Sequence, residues 1–418
     1  MSEHAPVVVK PADDQAFKLP TSLAGLVLPL CAGGFIALII GWSIGFSLGP
    51  KFAMSAYLAA FMYCATIALG SMFFVLIQHL VRAGWSVVVR RIAELMMVMV
   101  IPLVVFFTPI MASLFMTDKA DSALYVWATS DYAPSHHLDP IMWESKTAYL
   151  SAPFFCVRAL FYFAIWVGLA IYFFRGSANQ DNTGEKAVTD RMQWWSAPAV
   201  MLLAGTMSFA AFDWVMTLSP MWFSTMFGVY MFAGAILSAH CAIALGAYVL
   251  QKKGALKDEI TVEHYHDLGK LIFGFIFFWV YISFSQFMLI WYGNIPEETE
   301  WFWLRQNGTW GWVAVVLILL HWLLPFVCTM SRTLRRKPGY VAFWAVYILV
   351  MHFIDIYWMI MPETGPTAGS VMGVLSSVLC VVGMAAVMLG LILKVASDHR
   401  VAAVRDPRFR ESMAFENI

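Results

Sequence analysis

Charge is scarce in this chain: Asp, Glu, Lys and Arg together make up 12% of 418 residues, whereas apolar side chains make up 61%. With a mean hydropathy of +0.73, there is too little polar surface to cover a water-soluble core, so lipid must be the solvent. Basic and acidic residues balance at 26 each, which leaves no global field to recruit nucleic acid. Paired cysteine motifs are also missing. Cys31, Cys64, Cys156, Cys241, Cys328 and Cys380 each stand alone in an apolar stretch, with no C-x-x-C, no C-x-x-C-H and no Cys/His cluster. That pattern argues against covalently attached haem c, thiolate-held iron–sulfur clusters and structural zinc, so no metal site is expected. The segment Met1 to Pro20 is polar and of mixed charge, and it lacks the basic-then-apolar pattern of a cleaved signal peptide.

What is abundant is long apolar runs. A helix needs roughly 20 such residues to cross the hydrocarbon core, and ten stretches qualify: roughly 22–47, 53–80, 92–115, 152–174, 194–217, 221–249, 267–291, 310–331, 339–361 and 368–394. The expected fold is all-α, a polytopic membrane protein of about ten transmembrane helices. It divides into an N-terminal segment (1–21), a membrane domain (22–394) and a basic tail (395–418). An even number of spans puts both termini on one side. Lys51, Lys119, Lys146 and Arg305 are the basic residues of the opposite loops and Arg158 lies within a span, whereas the remaining 21 flank the termini side. By the positive-inside rule the termini are expected to be cytoplasmic. The basic tail, Lys394 to Arg410, is expected to lie along the anionic membrane surface. The long loop Thr117 to Ser151 and an acidic loop near Asn294 to Asn307 face the other way, either as ordinary polar caps or as docking surfaces for an extracytoplasmic partner. The connection at Leu218 to Pro220 is short enough to make spans five and six antiparallel neighbours.

Ionisable side chains inside a bilayer are costly unless paired or hydrated, which makes them functional candidates. Depth at about 1.5 Å per residue sorts them into layers. Arg158, Asp213 and Asp355 fall in the external third; His240, His321 and His352 fall near the middle, as a relay or as packing groups; Glu94, His264, His266 and Asp267 fall at the cytoplasmic end, as proton entry or as solvated helix starts. Arg158 with either aspartate makes a helix-locking ion pair or a proton-accepting site. His352 and Asp355 are three residues apart and share a helix face. The three central histidines lie on separate spans, unlike the paired histidines of a two-haem bundle. Ser283, Ser285 and Gln286 on span seven are interhelical glue or part of a site.

Two stretches carry a family likeness: Phe212 to Tyr230, FDWVMTLSPMWFSTMFGVY, and Phe284 to Thr299, FSQFMLIWYGNIPEET, the latter preceded by HDLGKLIFGFIFFWVYI. With these, the chain resembles the polysulfide-reductase-type (NrfD-like) membrane subunits of bacterial alternative complex III, specifically the smaller of that complex's two such subunits. The resemblance implies two four-helix bundles plus two extra helices, in a quinol:electron acceptor (cytochrome c) oxidoreductase complex. It also implies a second NrfD-like subunit and extracytoplasmic partners that carry haems c and iron–sulfur clusters. This chain would then contribute proton conduction and assembly, and part of a quinol site at Asp213 and Gln286. An ion-coupled secondary transporter and a purely structural subunit remain open on the residues alone.

Overall fold

The computed structural model describes residues 14–135 and 140–417. Most of the expected N-terminal segment and positions 136–139 of the longest loop lie outside the described residues. Ten long helices account for nearly everything else: α1 (Val27–Leu48), α2 (Pro50–Leu80), α3 (Val87–Ser113), α4 (Ala152–Thr183), α5 (Lys186–Trp214), α6 (Met226–Lys252), α7 (Val262–Gly293), α8 (Gly308–Thr329), α9 (Pro338–Ile360) and α10 (Val371–Asp398). All ten are long and apolar enough to cross a membrane, and there is no strand among the described residues. Each expected span falls on one of them. Several helices run further than the apolar windows indicate, notably the end of α4 and the start of α5, because a hydropathy window stops at the first polar turn and backbone hydrogen bonding does not.

The helices close into two rings. In the first, α2 packs on α3, α3 on α4, α4 on α5 and α5 back on α2; in the second, α6 to α9 do the same in order. The pair α1 and α10 packs together outside the rings and leans on α2. The chain is thus two four-helix bundles plus two helices. At the core is α2, with 78% of its apolar window buried against 17% for α1 and α8. Its contact with α6 joins the bundles and depends on Gly70, where an added Cβ would lie 2.1 Å from the Ala235 carbonyl oxygen. In lipid, where apolar surface gives little drive for helices to associate, such close packing of small residues is what holds them together.

Two prolines reshape their helices. Pro102 has no N–H for the Val98 carbonyl, which accepts from Ile101 instead, at a break between residues 97 and 100. Pro325 leaves the His321 carbonyl without its usual donor, and the turn before it, Leu317–Leu323, is a π-helix.

The first described residues, from Asp14, and the C-terminal tail lie at one end of the bundles, here termed the terminal face; the opposite end is the loop face. The C-terminal tail does not lie flat on a surface as expected but is folded into the terminal face. Val401, Ala402 and Ala403 are buried, and the Val401 N–H donates to the Phe17 carbonyl. Ser412 donates to the Trp85 carbonyl at 2.6 Å. Asp406 pairs with Arg90 at 2.6 Å, and Arg90 also reaches Glu94 at 3.1 Å. Apolar residues and one carboxylate between the tail's basic side chains turn the backbone inward, while Lys394, Arg405 and Arg410 remain exposed.

Replacing Gly70 with Ala is expected to lower stability by about 1–3 kcal/mol through overpacking of the α2–α6 contact. Gly205→Ala, at a lipid-facing position with nothing within 4 Å of the added carbon, should not. Thermal unfolding of both variants in mild detergent checks this.

Candidate proton-transfer site

Among the described residues each bundle holds one buried carboxylate near its loop face, and the two have opposite surroundings. In the first bundle Asp213, at the end of α5, is fully buried. Its Oδ2 accepts from Arg158 Nε and from Tyr162 Oη, both at 2.8 Å; its Oδ1 accepts from Arg158 Nη2 at 3.0 Å and Tyr149 Oη at 2.8 Å. Arg158 Nη1 donates to the Tyr149 carbonyl at 2.9 Å. The guanidinium carbon lies 3.9 Å from the Tyr149 ring and 4.4 Å from the Phe154 ring. Charge, hydrogen bonds and ring faces are all satisfied, so this fork fixes α4 to α5. Arg158 pairs with Asp213 and not with Asp355. Protonating Asp213 would strand a buried guanidinium.

In the second bundle Asp355, on α9, is 1% exposed and forms no ion pair among the described residues. It is held only by neutral donors, the Tyr230 hydroxyl from α6 and Trp279 Nε1 from α7 at 3.0 Å. Protonating it strands no charge. One helical turn earlier, His352 Nε2 lies 2.9 Å from Thr66 Oγ1 of α2. The Thr66 hydroxyl has a backbone acceptor, the Met62 carbonyl at 2.8 Å. The direction of the Thr66–His352 bond depends on the imidazole tautomer: with the Thr66 proton on the Met62 carbonyl, His352 donates through Nε2–H and its lone pair is on Nδ1. That Nδ1 is buried and has no partner. It faces Gly234 of α6, where a Cβ would be 3.3 Å from Nδ1, 3.0 Å from His352 Cε1 and 3.8 Å from Asp355 Oδ2. The α6 backbone at Gly234 therefore packs closely on the imidazole, with the Asp355 carboxyl on the same side. The π-turn of α8 points His321 at the same cluster. Its ring stands perpendicular to Trp279 at 4.3 Å, and both of its nitrogens are buried with no hydrogen-bond partner among the described residues.

The other expected site residues are dispersed. His240 Nδ1 lies 2.7 Å from the Ile236 carbonyl, and its ring packs between Phe74 and Phe275 at 5.3 and 4.9 Å. That is the geometry of a packed histidine. At the terminal face, Glu94 is fully buried between Arg90 and Arg91, and Arg91 also holds Asp181 at 2.6 Å. His264 forms the capping box of α7 with Thr261 and reaches Ser412 at 3.3 Å. His266 is buried, neither nitrogen has a hydrogen-bond partner among the described residues, and its Nδ1 is 3.8 Å from Asp267, which pairs with Lys270 at 2.5 Å. Gln286 is 4% exposed, lines a cavity between α7 and α8, and has no hydrogen-bond partner among the described residues.

At the loop face the helix Pro296–Gln306 roofs the second bundle. Its Arg305 donates to the Met359 carbonyl at 2.7 Å and pairs with Glu363 at 3.0 Å, and its guanidinium lies 3.6 Å from the Trp301 ring. Burial lowers this guanidinium to about 10 against the pull of Glu363, so it stays cationic at neutral pH. Among the described residues no group of three or more His, Cys, Asp or Glu side chains is placed to hold a metal ion. No protein-family model matches the chain, and no curated protein matches it.

The residues that sequence reasoning missed are the neutral partners: Tyr149 and Tyr162 for Asp213, and Tyr230, Trp279, Thr66 and Gly234 around Asp355 and His352. One signal was available. Trp279 sits in mid-span, away from the interfaces where membrane tryptophans usually collect.

Arg158→Met is expected to destabilise the protein by about 3–5 kcal/mol, because it leaves Asp213 as an unpaired buried charge. Thermal unfolding in detergent checks this; a shift no larger than that of a lipid-facing control substitution contradicts the locking role.

Proposed function

We propose that this chain is an NrfD-like membrane subunit of a quinol-oxidising respiratory complex, similar to the smaller such subunit of alternative complex III, and that its second bundle conducts protons. On this reading the termini are cytoplasmic in a bacterial inner membrane. Partner subunits on the loop face carry the haems c and iron–sulfur clusters, and a second NrfD-like subunit lies beside this one. The carrying observation is Asp355, a buried carboxyl held by neutral donors one turn from an imidazole whose Nδ1 has no hydrogen-bond partner among the described residues. A group that exchanges a proton must be stable in both states, and Asp355 has no cation whose pairing would be lost.

The step itself is short. On this reading Asp355 in its acid form gives its proton to His352 Nδ1, beside Gly234, when the two groups close to hydrogen-bond distance, and the imidazolium releases the Nε2 proton on the Thr66 side. The ring is then the Nδ1–H tautomer, so the next transfer requires reprotonation of Asp355 and return of the ring proton from Nδ1 to Nε2. His321, at the same cluster, is the second acceptor within this layer. The four-plus-four-plus-two arrangement of helices agrees with the proposed family. An alternating-access transporter commonly interrupts helices at corresponding positions of its two halves. Here the interruptions fall on α3, second in its ring, and α8, third in its ring, which favours the subunit reading.

Asp355→Asn preserves size and acceptor capacity while removing the exchangeable proton. In the purified complex it is expected to lower proton-coupled turnover by about a hundredfold, with the haem and iron–sulfur subunits still co-purifying. Gly234→Ala, which crowds His352, should lower it less. Wild-type coupling in Asp355→Asn removes the proton-conduction role, and a chain that purifies alone and colourless removes the complex.

A further inference from the structure

Outside the two rings, the α1–α10 pair meets the bundles closely at one end and across a gap at the other. Toward the loop face an added Cβ at Gly45 of α1 would lie 2.9 Å from the Ala53 Cα of α2, and one at Gly373 of α10 would lie 3.2 Å from the Phe52 ring. Toward the terminal face the pair and the bundles line opposite walls of a cavity of about 470 Å³. Leu30 of α1 and Met388 of α10 belong to one wall, Met99 of α3 and Leu245 of α6 to the other. Among the described residues on these walls only Tyr63 and Cys64 carry an O–H or S–H in the side chain, whereas an internal water typically makes about three hydrogen bonds. An apolar cavity of roughly 150 Å³ already admits a benzene-sized guest, and the cost of an empty void grows with its volume. The cavity therefore takes an apolar occupant. It opens to the bilayer past Leu26, Val249 and Leu389, all exposed on or beside spanning helices.

We propose that this cavity holds one acyl chain of a bilayer glycerophospholipid from the leaflet at the terminal face, with the lipid's phosphate at Lys253. Length selects the chain. The deepest lining positions on α6, α9 and α3 are Ala242, Leu349 and Met99. They lie ten, eleven and twelve residues in from the helix ends Lys252, Pro338 and Val87, about 15–18 Å, close to half of the roughly 30 Å hydrocarbon core. The cavity thus spans a single leaflet, the reach of one tail. Charge selects the headgroup. Ala242, Leu245, Gly246, Val249 and Leu250 line the cavity at the spacing of one helix face. The next position on that face is Lys253, which is exposed. An ammonium at the mouth of an aliphatic slot suits a phosphate that stays in water while the tail is buried. Tyr63 is the one aromatic side chain of the lining, so there are no facing ring walls for a planar ligand. The seated tail fills the gap between the α1–α10 pair and the rings, and so supplies packing that the helices themselves leave incomplete at the terminal face. The site is independent of the proposed proton step.

The test is photocrosslinking with phosphatidylglycerol that carries a diazirine in one acyl chain, introduced into native membranes. The protein is then moved with its associated subunits into excess mild detergent before irradiation, so that exchangeable surface lipid is diluted away, and peptides are read by mass spectrometry. Retained label is expected on residues 242–250 and 385–396. Ala242→Trp, which fills the cavity, should abolish it. Lys253→Glu, at an exposed position where folding is not at stake, should lower it about tenfold by reversing the charge at the phosphate. Label lost on dilution, label confined to other segments, label that survives Ala242→Trp, or label unchanged in Lys253→Glu overturns the proposal. Recovery of a quinone or of detergent from the cavity in place of the phospholipid overturns it as well.

Discussion

A charge in hydrocarbon needs a partner, and the rest of this structure is arranged around that constraint. Three buried guanidinium groups, Arg90, Arg91 and Arg158, are each tied to carboxylates: Glu94 and Asp406, Glu94 and Asp181, and Asp213. Arg305 does the same with Glu363 at the loop face. Such pairs stabilise little compared with apolar packing, but breaking one is costly, so they fix which helices meet. Asp355 is the exception. It is as buried as the others with neutral donors only, one turn from an imidazole. On the proposed reading, its capacity to change protonation comes from the partner it does not have.

The two-bundle architecture makes this contrast direct. Asp213 lies on α5, the last helix of the first ring, and Asp355 on α9, the last helix of the second; both sit toward the loop face. Comparable positions thus carry different chemistry, one a fork between Arg158 and two tyrosines, the other a carboxyl beside His352, Trp279 and Tyr230. Helix α2 connects them, because it packs against both rings and presents Thr66 to His352 while Gly70 admits α6. Packing and proposed proton transfer therefore depend on the same helix. At the terminal face the folded tail closes the other end through Asp406 and Ser412, so a segment that reads as a loose basic extension is part of the packed unit.

Much of this was legible in the sequence, and the limits have physical causes. Ten apolar runs gave ten helices because hydrocarbon thickness sets their length. Depth along a helix placed Arg158 and Asp213 in one layer and His352 one turn from Asp355. Depth carries no information about azimuth, however, so it could not say that Arg158 turns toward Asp213. Nor could it separate His240, packed between two phenylalanines, from His321, which the π-turn before Pro325 rotates toward Trp279. The tail was misread because charge was counted and the interleaved Val401, Ala402, Ala403 and Asp406 were not. Neutral partners such as Tyr230 and Gly234 are hardest to read, since their role exists only once α6 and α9 are side by side.

The most direct test of the account is a quinol-induced infrared difference spectrum of the complex, read at the carbonyl stretch of protonated carboxyl groups. The account predicts a deuterium-sensitive band in the wild type that disappears in Asp355→Asn. A band that persists in that variant, or a wild-type spectrum with no carboxyl signal, would contradict it.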